Sequence, residues 1–373
     1  MRPGMGGVAA PSRGAAGRSD QRLTAPARPR ASVDRVADDP VHAVPGGTGA
    51  VFSSDYKTSR SALGRLYERA KASQWNARTD LPWETDVDPE RVARANAERV
   101  GGYSPGMDVT GTPAERWSDR EWLAFGVESH NWTMSQFLHG EQGALVCTAK
   151  IVETAPWIDA KTFAATQVMD EARHVEVFNR YLHTKLSGPR YPVNPSLQSL
   201  LDGIVGDSRW DITFLGMQVM IEGLALAAFD FISGFTTEPL LQQMLAYVTA
   251  DEARHVAFGV VSLREVYAGL SAREIRDRQD FACEAAVCLR DRVVQAEVWE
   301  HMGVPAKVAQ PRILGSSEHR SLNTKLFSRI VPNCANLGLL DAGDGWLRRK
   351  FAELGILDLD NSCSVDGLST VGR

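Results

Sequence analysis

Apolar residues recur every three or four positions along much of the chain, which is the spacing of one face of an α-helix. Ser118 and Glu121 form a capping box, and the apolar pattern after them predicts a helix that runs to about Glu153. Pro156 ends this stretch, because proline disfavours a helical conformation in the residue before it. Three more helical stretches are predicted over residues 159–186, 197–233 and 239–269.

One predicted helix is apolar on every side. From Phe214 to Ile232 its polar members are few, and the residue in the middle is Glu222. A helix that is hydrophobic all round is buried, and a buried carboxylate is costly unless it is paired or bound to a metal. A buried salt bridge to an arginine remains the alternative to a metal ion at this point.

The segments on either side of these helices carry weaker patterns. We expect a disordered tail over residues 1–51, since it is rich in Gly, Ala, Pro, Arg and Ser. Residues 52–117 are expected to hold helices near 56–71 and 89–100, with Trp75 and Trp83 on an extended segment that packs on the surface of the bundle. The sequence assigns this region no chemistry. A central domain is expected over residues 118–270, followed by bracing helices over 271–373 that include 271–302, 317–330 and 344–354.

A pentapeptide occurs twice in the predicted helices. The sequence from Asp170 to His174 returns, residue for residue, from Asp251 to His255. In each copy a Glu and a His three positions apart lie about 60° apart around the helix, close enough to hold one metal ion. A single Glu-x-x-His is more often a surface feature with a salt bridge. The repetition favours a metal site.

Each copy also has an upstream partner at the same distance. The interval along the chain from Glu141 to Glu171 is identical to the interval from Glu222 to Glu252. The flanking Gly140 and Gly143 would let a neighbouring helix approach Glu141 closely. Two such half-sites predict an all-α four-helix bundle with two buried metal ions, the alternative being a duplication that has lost its metal. The predicted ligands are Glu141, Glu171, His174, Glu222, Glu252 and His255.

Two other glutamates lie on the first of these helices. Glu128 precedes Glu141 and Glu153 follows it, but neither reproduces the spacing found in the second half. We therefore predict that Glu141 binds metal and that Glu128 and Glu153 do not.

The predicted donor set determines the expected chemistry. Four carboxylates and two imidazoles suit iron or manganese, with one Glu from each half as a bridge between the ions. Without metal, we expect the four carboxylates to repel one another and to have raised pKa values. Asp170 and Asp251 precede the ligand Glu and are expected to accept the second N–H of an imidazole, either within their own helix or in the other half. Arg173 and Arg254 are either partners of these aspartates or surface charges.

Charge and composition narrow the choice of partners and compartment. The chain of 373 residues has a net charge of −5 and an isoelectric point near 6.0, which gives no reason to expect nucleic acid as a partner. The five cysteines form no Cys-x-x-Cys pair, which is typical of the reduced cytosol. No apolar run of about 18 residues is free of charge, so we expect no membrane span and a cytoplasmic protein.

With these motifs, residues 118–265 resemble the ferritin-like di-iron carboxylate superfamily. This superfamily includes ferritins, the ribonucleotide reductase small subunit, acyl-carrier desaturases, bacterial multicomponent monooxygenases and arylamine N-oxygenases. The resemblance implies two iron ions, dioxygen as a co-substrate and electrons from an external donor. Glu141 and Glu222 match the family's lone glutamates.

The chain departs from each subfamily at one or more positions. Phe178 stands four residues after His174, where the reductase small subunit has its radical tyrosine. Ala225 and Leu226 stand where many monooxygenases and desaturases have a threonine, and Val248 stands where the N-oxygenases have a third histidine. These departures leave the subfamily unassigned.

Three classes of function follow from this resemblance. The first is an oxygenase or oxidase that acts on a small or carrier-bound organic substrate, and it should have an apolar channel between the helices. The second is iron handling or peroxide detoxification, and the third is a non-catalytic relative with a vestigial site. The long flanking segments favour the first class, because a cage-forming storage protein has little need of them. A homodimer is left open.

Overall fold

The apolar periodicity produces a structure built from α-helices. The computed structural model describes residues 49–52, 56, 60–99, 108–186 and 191–357, and these belong to one compact unit spanning Val44–Arg373. No strand occurs within those ranges. In chain order the helices are α1 (Ser61–Ala72), α2 (Pro89–Arg99), α3 (Asp119–Thr154), α4 (Ile158–Thr184), α5 (Pro195–Gly206), α6 (Trp210–Phe214), α7 (Glu222–Phe235), α8 (Pro239–Tyr267), α9 (Ala272–Arg292), α10 (Ala296–His301), α11 (Ala306–Gly315), α12 (Ser317–Leu326), α13 (Ile330–Asn336) and α14 (Trp346–Glu353).

The first pair of bundle helices is α3 and α4. Ser118 caps α3, and its backbone N–H donates to the Glu121 carboxylate at 2.7 Å, as the capping box predicts. Residues 155–157 alone connect the two helices, so that α3 and α4 run antiparallel and pack along their length. This pair carries the first half of the repeated motif.

The second pair consists of α8 and a long helix before it. Helix α6, a π-helical segment over Leu215–Ile221 and α7 run without interruption. Glu238 begins α8, because its carboxylate accepts the backbone N–H groups of Leu240 and Leu241 at 2.7 Å each. The predicted all-α four-helix bundle of the ferritin-like type is thereby confirmed. The predicted tail lies outside the described residues, apart from its last three positions.

The all-apolar helix is buried, as its sequence predicts. Trp210–Phe235 is long and apolar enough to cross a membrane, but most of it lies inside the fold among the other helices. Phe214, Met217 and Phe229 on it are fully buried, as is Phe258 on α8. These four bulky residues belong to the buried hydrophobic core.

Two glycines allow the helices to approach closely around the motif. A Cβ atom on Gly143 would lie 2.5 Å from the Leu201 side chain, and one on Gly259 would lie 2.5 Å from the Gln218 Cβ. Both distances are below any real contact, so a larger residue would require the Leu201 side chain to move at Gly143 and would push the π-helical segment away from α8 at Gly259.

Two of the predicted helical stretches contain a break. The stretch over 197–233 divides at residues 207–209, between α5 and α6. The helix expected over 271–302 ends at Arg292, and Gln295, in a left-handed conformation with φ of 55°, separates it from α10. Its side chain accepts a hydrogen bond from Ser129 at 2.6 Å, which ties this turn to α3.

Candidate metal centre

The four bundle helices bring the six predicted ligands into one buried cluster. Each of the six side chains belongs to a residue that is at most 5% exposed. Helix α3 supplies one glutamate, α4 a Glu and a His, α7 one glutamate at its first residue, and α8 a Glu and a His. In this order they are Glu141, Glu171, His174, Glu222, Glu252 and His255.

The cluster divides into two overlapping groups of potential metal ligands. One group contains Glu141 and His174, the other contains Glu222 and His255, and both contain Glu171 and Glu252. Within each group the ligand atoms lie within 4.8 Å of one another. The two shared glutamates, one from each half, occupy the place expected of bridging ligands.

The two rival glutamates lie elsewhere. Glu128 accepts a hydrogen bond from the Tyr191 hydroxyl at 2.7 Å, and Glu153 lies near the end of α3, away from the cluster. Neither belongs to a group of potential ligands among the described residues.

Each imidazole lies between the carboxylate cluster and an aspartate. The Nδ1 atom of His174 is 3.2 Å from Glu141 and 3.3 Å from Glu171, while its Nε2 is 3.1 Å from Asp251. His255 repeats this arrangement, because its Nδ1 is 3.1 Å from Glu171 and its Nε2 is 3.2 Å from Asp170.

The aspartates therefore serve the histidine of the other half, a choice that the sequence left open. Asp251 of α8 accepts from His174 of α4, and Asp170 of α4 accepts from His255 of α8. Such a hydrogen bond fixes the ring orientation and leaves Nδ1 free to face a metal ion. The two halves of the motif are thereby interlocked.

The arginines of the pentapeptides hold these aspartates. Arg173 is 7% exposed and donates from one nitrogen to Asp170 at 2.5 Å and to Asp251 at 3.0 Å. Arg254 also donates to Asp251, and it lies 3.7 Å from Asp170. Both arginines are thus partners of the aspartates and not free surface charges.

Two residues of the segment after α1 also donate hydrogen bonds to Asp170 and Asp251. The Trp75 indole N–H donates to Asp251 at 2.8 Å, and the Gln74 amide donates to Asp170 at 3.1 Å. The Trp75 ring also stacks on Tyr247 with the centroids 4.8 Å apart. The sequence assigned this region no chemistry, and the structure shows two of its residues hydrogen-bonded to the aspartates that contact both histidines.

Sequence reasoning also missed Gln167, which lies one turn before Glu171 on α4. Its amide nitrogen donates to Glu171 at 3.0 Å and to Glu222 at 2.9 Å. The repeat could have drawn attention to it, because Gln167 lies four residues before Glu171 and Val248 lies four residues before Glu252. The two copies of the motif therefore differ at this position. Trp75 and Gln74 have no such signal, because nothing repeats around them.

Burial and like charges raise the pKa values of the two lone glutamates. Desolvation raises the pKa of Glu141 to about 8, although the hydrogen bond from His174 opposes the shift. Desolvation and the charges of Glu252 and Glu171 raise the pKa of Glu222 well above its ordinary value. The expected repulsion between carboxylates is present at these two residues.

The prediction was wrong for Glu171, where the histidines prevail. Burial favours the neutral acid, but the positive charge of His255 and hydrogen bonds with both imidazoles hold the pKa of Glu171 below its usual range. Burial opposes the charge of His174 too, yet hydrogen bonds with Asp251 and Glu141 raise its pKa well above the ordinary value.

The donor set fits two metal ions. Buried oxygens of three glutamates, the Oε2 atoms of Glu171, Glu222 and Glu252, make no hydrogen bond of good geometry, and neither does Nδ1 of His255. An unpartnered buried carboxylate oxygen is costly, so the three glutamate oxygens favour a cation beside them. Six donors of carboxylate and imidazole type, arranged as two groups that share two carboxylates, are what iron or manganese prefers.

Comparisons with known proteins add a resemblance in fold. No protein-family model matches the sequence, and no curated protein matches it. Similar solved structures include an R2-like ligand-binding oxidase with an aerobically reconstituted Mn/Fe cofactor, which is 15% identical with a TM-score of 0.43, over 82% of this chain and 96% of that chain. A mutant of such an oxidase with an anaerobically reconstituted Mn/Fe cofactor is 15% identical with a TM-score of 0.47. This match covers 76% of this chain and 95% of that chain.

Proposed function

We propose that this protein is an oxygen-dependent di-metal oxidoreductase, an oxygenase or oxidase, that acts on an organic substrate. Its metals are two iron ions, with manganese as the alternative, and its substrate is a small molecule or a carrier-bound group. The observation that carries the proposal is the pair of overlapping donor groups that share Glu171 and Glu252. When bound, two such ions would supply Lewis acidity and redox chemistry towards dioxygen.

The chain's own residues would prepare this site in two ways. Asp170 and Asp251 accept the Nε2–H groups of the histidines, which orients both rings towards the carboxylates. Phe137 and Phe229 pack with their ring centroids 4.8 Å apart, and Phe178 lies 5.6 Å from Phe137. The apolar core to which these rings belong excludes water from one end of the bundle and strengthens electrostatic interactions there.

The aromatic residues of α4 favour direct oxidation of a substrate over storage of a tyrosyl radical. Phe178 stands one turn after His174 and has no hydroxyl group from which a hydrogen atom could be removed. Tyr181 is fully buried and donates to Glu238 at 3.2 Å, and burial raises its pKa. Tyr181 lies seven residues after His174, about 10 Å along the helix axis.

An apolar pocket beside the bundle is consistent with an organic substrate. A pocket of about 260 Å³ opens between α2, α3, α7 and the start of α8, and its walls include Leu123, Phe125, Ile232 and Leu241, with the polar His130 among them. None of the six candidate ligands lines this pocket. The pocket is therefore consistent with an organic substrate, but it gives no evidence of a route to the metals.

Metal analysis and oxygen consumption test the proposal. Apo protein reconstituted anaerobically with Fe(II) should bind two ions per chain, and exposure to oxygen with a chemical reductant as electron donor should consume oxygen. A panel of acyl carriers, free fatty acids and amines would then be screened for one that accelerates this consumption and is itself oxidised. Saturation at one ion, or zinc retained against excess iron, would refute the di-iron assignment. Release of bound iron as a ferric mineral without oxidation of any organic compound would instead favour iron handling.

A further inference from the structure

The duplicated site is not symmetric. Gln167 lies four residues before Glu171 on α4, and the equivalent residue four before Glu252 on α8 is Val248. Both residues are fully buried. The repeat that preserves the pentapeptide therefore places a hydrogen-bonding amide beside one half of the site and an aliphatic side chain beside the other.

The Gln167 amide holds two carboxylates at once. Its nitrogen is 2.9 Å from Oε1 of Glu222 and 3.0 Å from Oε1 of Glu171, and both oxygens can only accept from it. Oε2 of Glu222 remains without a partner. Since the part of the chain described by the structure offers Glu222 no other hydrogen bond, Gln167 is the residue that fixes how this carboxylate points.

The lone glutamate of the first half is held differently. Oε2 of Glu141 is 3.2 Å from Nδ1 of His174, so a candidate ligand and not an outer amide determines its position. Val248 has no polar atom with which to contact a carboxylate. The two lone glutamates thus reach their positions through different partners, although the motif around them is the same.

We infer that Gln167 is a positioning residue that orients Glu222 for one of the two ions and so makes the two metal positions unequal in affinity. This inference rests on the proposed function. Glu171 and Glu222 both belong to the ligand group of His255, so that the ion held by this group depends on Gln167. An amide bonded to one carboxylate oxygen leaves the other oxygen free and already oriented, which lowers the cost of ordering the ligand when the ion binds.

The strength of a hydrogen bond to a charged group sets the size of the expected effect. Loss of such a bond corresponds to about a tenfold or larger decrease in affinity for that ion. The other ion, held by the group of Glu141 and His174, should lose less affinity, because that group shares with Gln167 only the hydrogen bond to Glu171 and does not contain Glu222.

A stepwise metal titration tests this inference. Apo full-length protein is titrated with Mn(II), and the free aqueous ion is followed by electron paramagnetic resonance. Gln167→Met keeps the length of the side chain without a donor, and Gln167→Val reproduces the residue of the other half. Val248→Met is the matched control, since it makes a similar substitution at the equivalent position, where no amide is lost. Circular dichroism reports whether each variant is folded.

The outcomes separate this inference from the proposed function. We expect the wild type and Val248→Met to bind two ions per chain. Gln167→Met should bind one ion at least tenfold more weakly and the other with a clearly smaller loss. Equal weakening of both ions, no weakening, or the same loss in Val248→Met would overturn the role of Gln167 and leave the di-metal site intact. Unfolding of both Gln167 variants would assign this residue a general structural role and overturn the inference as well. Failure of the wild type to bind two ions would instead overturn the proposed function, and the inference with it.

Discussion

Replacement of Asp251 by alanine should destabilise the protein even when no metal is present. Asp251 is 1% exposed and accepts hydrogen bonds from the Trp75 indole at 2.8 Å, from Arg173 at 3.0 Å and from His174 at 3.1 Å, with Arg254 as a fourth donor. Alanine at this position would leave these donors without their common acceptor. Substitution of Asp251 therefore tests whether these hydrogen bonds hold the histidines in place before metal binds.

The expected decrease in the free energy of unfolding depends on which of these donors have another hydrogen-bond acceptor. Arg173 still has Asp170 at 2.5 Å and Gln74 at 2.8 Å, and Arg254 still has the Ala250 carbonyl at 3.0 Å. The N–H groups of Trp75 and His174 have no such substitute among their described hydrogen bonds. A buried unsatisfied donor costs about 1–3 kcal/mol, or about 2 kcal/mol on average. With two such donors, Asp251→Ala should lower the free energy of unfolding by about 4 kcal/mol.

Urea denaturation of the metal-free protein, followed by circular dichroism, measures this loss. Asp230→Ala is the control, because Asp230 forms a half-exposed ion pair with Arg329 that is worth about 1 kcal/mol at most. Asp251→Asn should fall between the two, since it keeps one acceptor oxygen but loses the charge. In the same variant series, Asp251→Ala should weaken metal binding by about 10- to 100-fold. A loss of stability no larger than that of Asp230→Ala would refute the role of Asp251 as the common acceptor of these hydrogen bonds.

Three further outcomes are expected. Glu222→Ala should abolish binding of two metal ions by elemental analysis, whereas Glu128→Ala should retain both; the reverse result would show that the ligand assignment is wrong. After oxygen is mixed with the di-ferrous protein, electron paramagnetic resonance should show no long-lived tyrosyl signal, because Phe178, one turn after His174, has no hydroxyl group, and such a signal, from Tyr181 for example, would contradict this. Burial lowers the pKa of His130 to about 4, so the folded state resists its protonation and loses stability as pH falls from about 6.5 towards 4. His130→Phe should therefore flatten the dependence of the urea midpoint on pH in this window, and an unchanged slope would refute the effect.

The bundle and the cluster of polar residues inside it were predictable because both depend on local or repeated features. Helical periodicity and the capping box at Ser118 locate α3, and the repeated spacing relates Glu141 to Glu222 whatever the loops between them do. Burial of Glu222 follows from its all-apolar helix. The role of the six residues as metal ligands remains a prediction.

Other features depend on tertiary contacts that leave no pattern in the sequence. Trp75 is far from Asp251 along the chain, and only the packing of its segment on the bundle brings the two together. The partner of each aspartate was ambiguous, because a turn of helix and a neighbouring helix are equally close to Asp170 in principle. The break at Gln295 was missed because glutamine is a good helix former, and its left-handed conformation is selected by the contact with Ser129.

The reciprocal bonds between the two halves have a consequence for how the molecule can be divided. A polypeptide that ended between α5 and α6 would contain His174 without the carboxylate that orients it, and the remaining polypeptide would contain His255 without its own. Each piece alone would expose a mismatched set of charges, whereas the two pieces mixed together would satisfy one another. Such fragments should therefore complement each other in trans, and an ancestor of half this length would have needed to pair with a second copy of itself to make the same contacts.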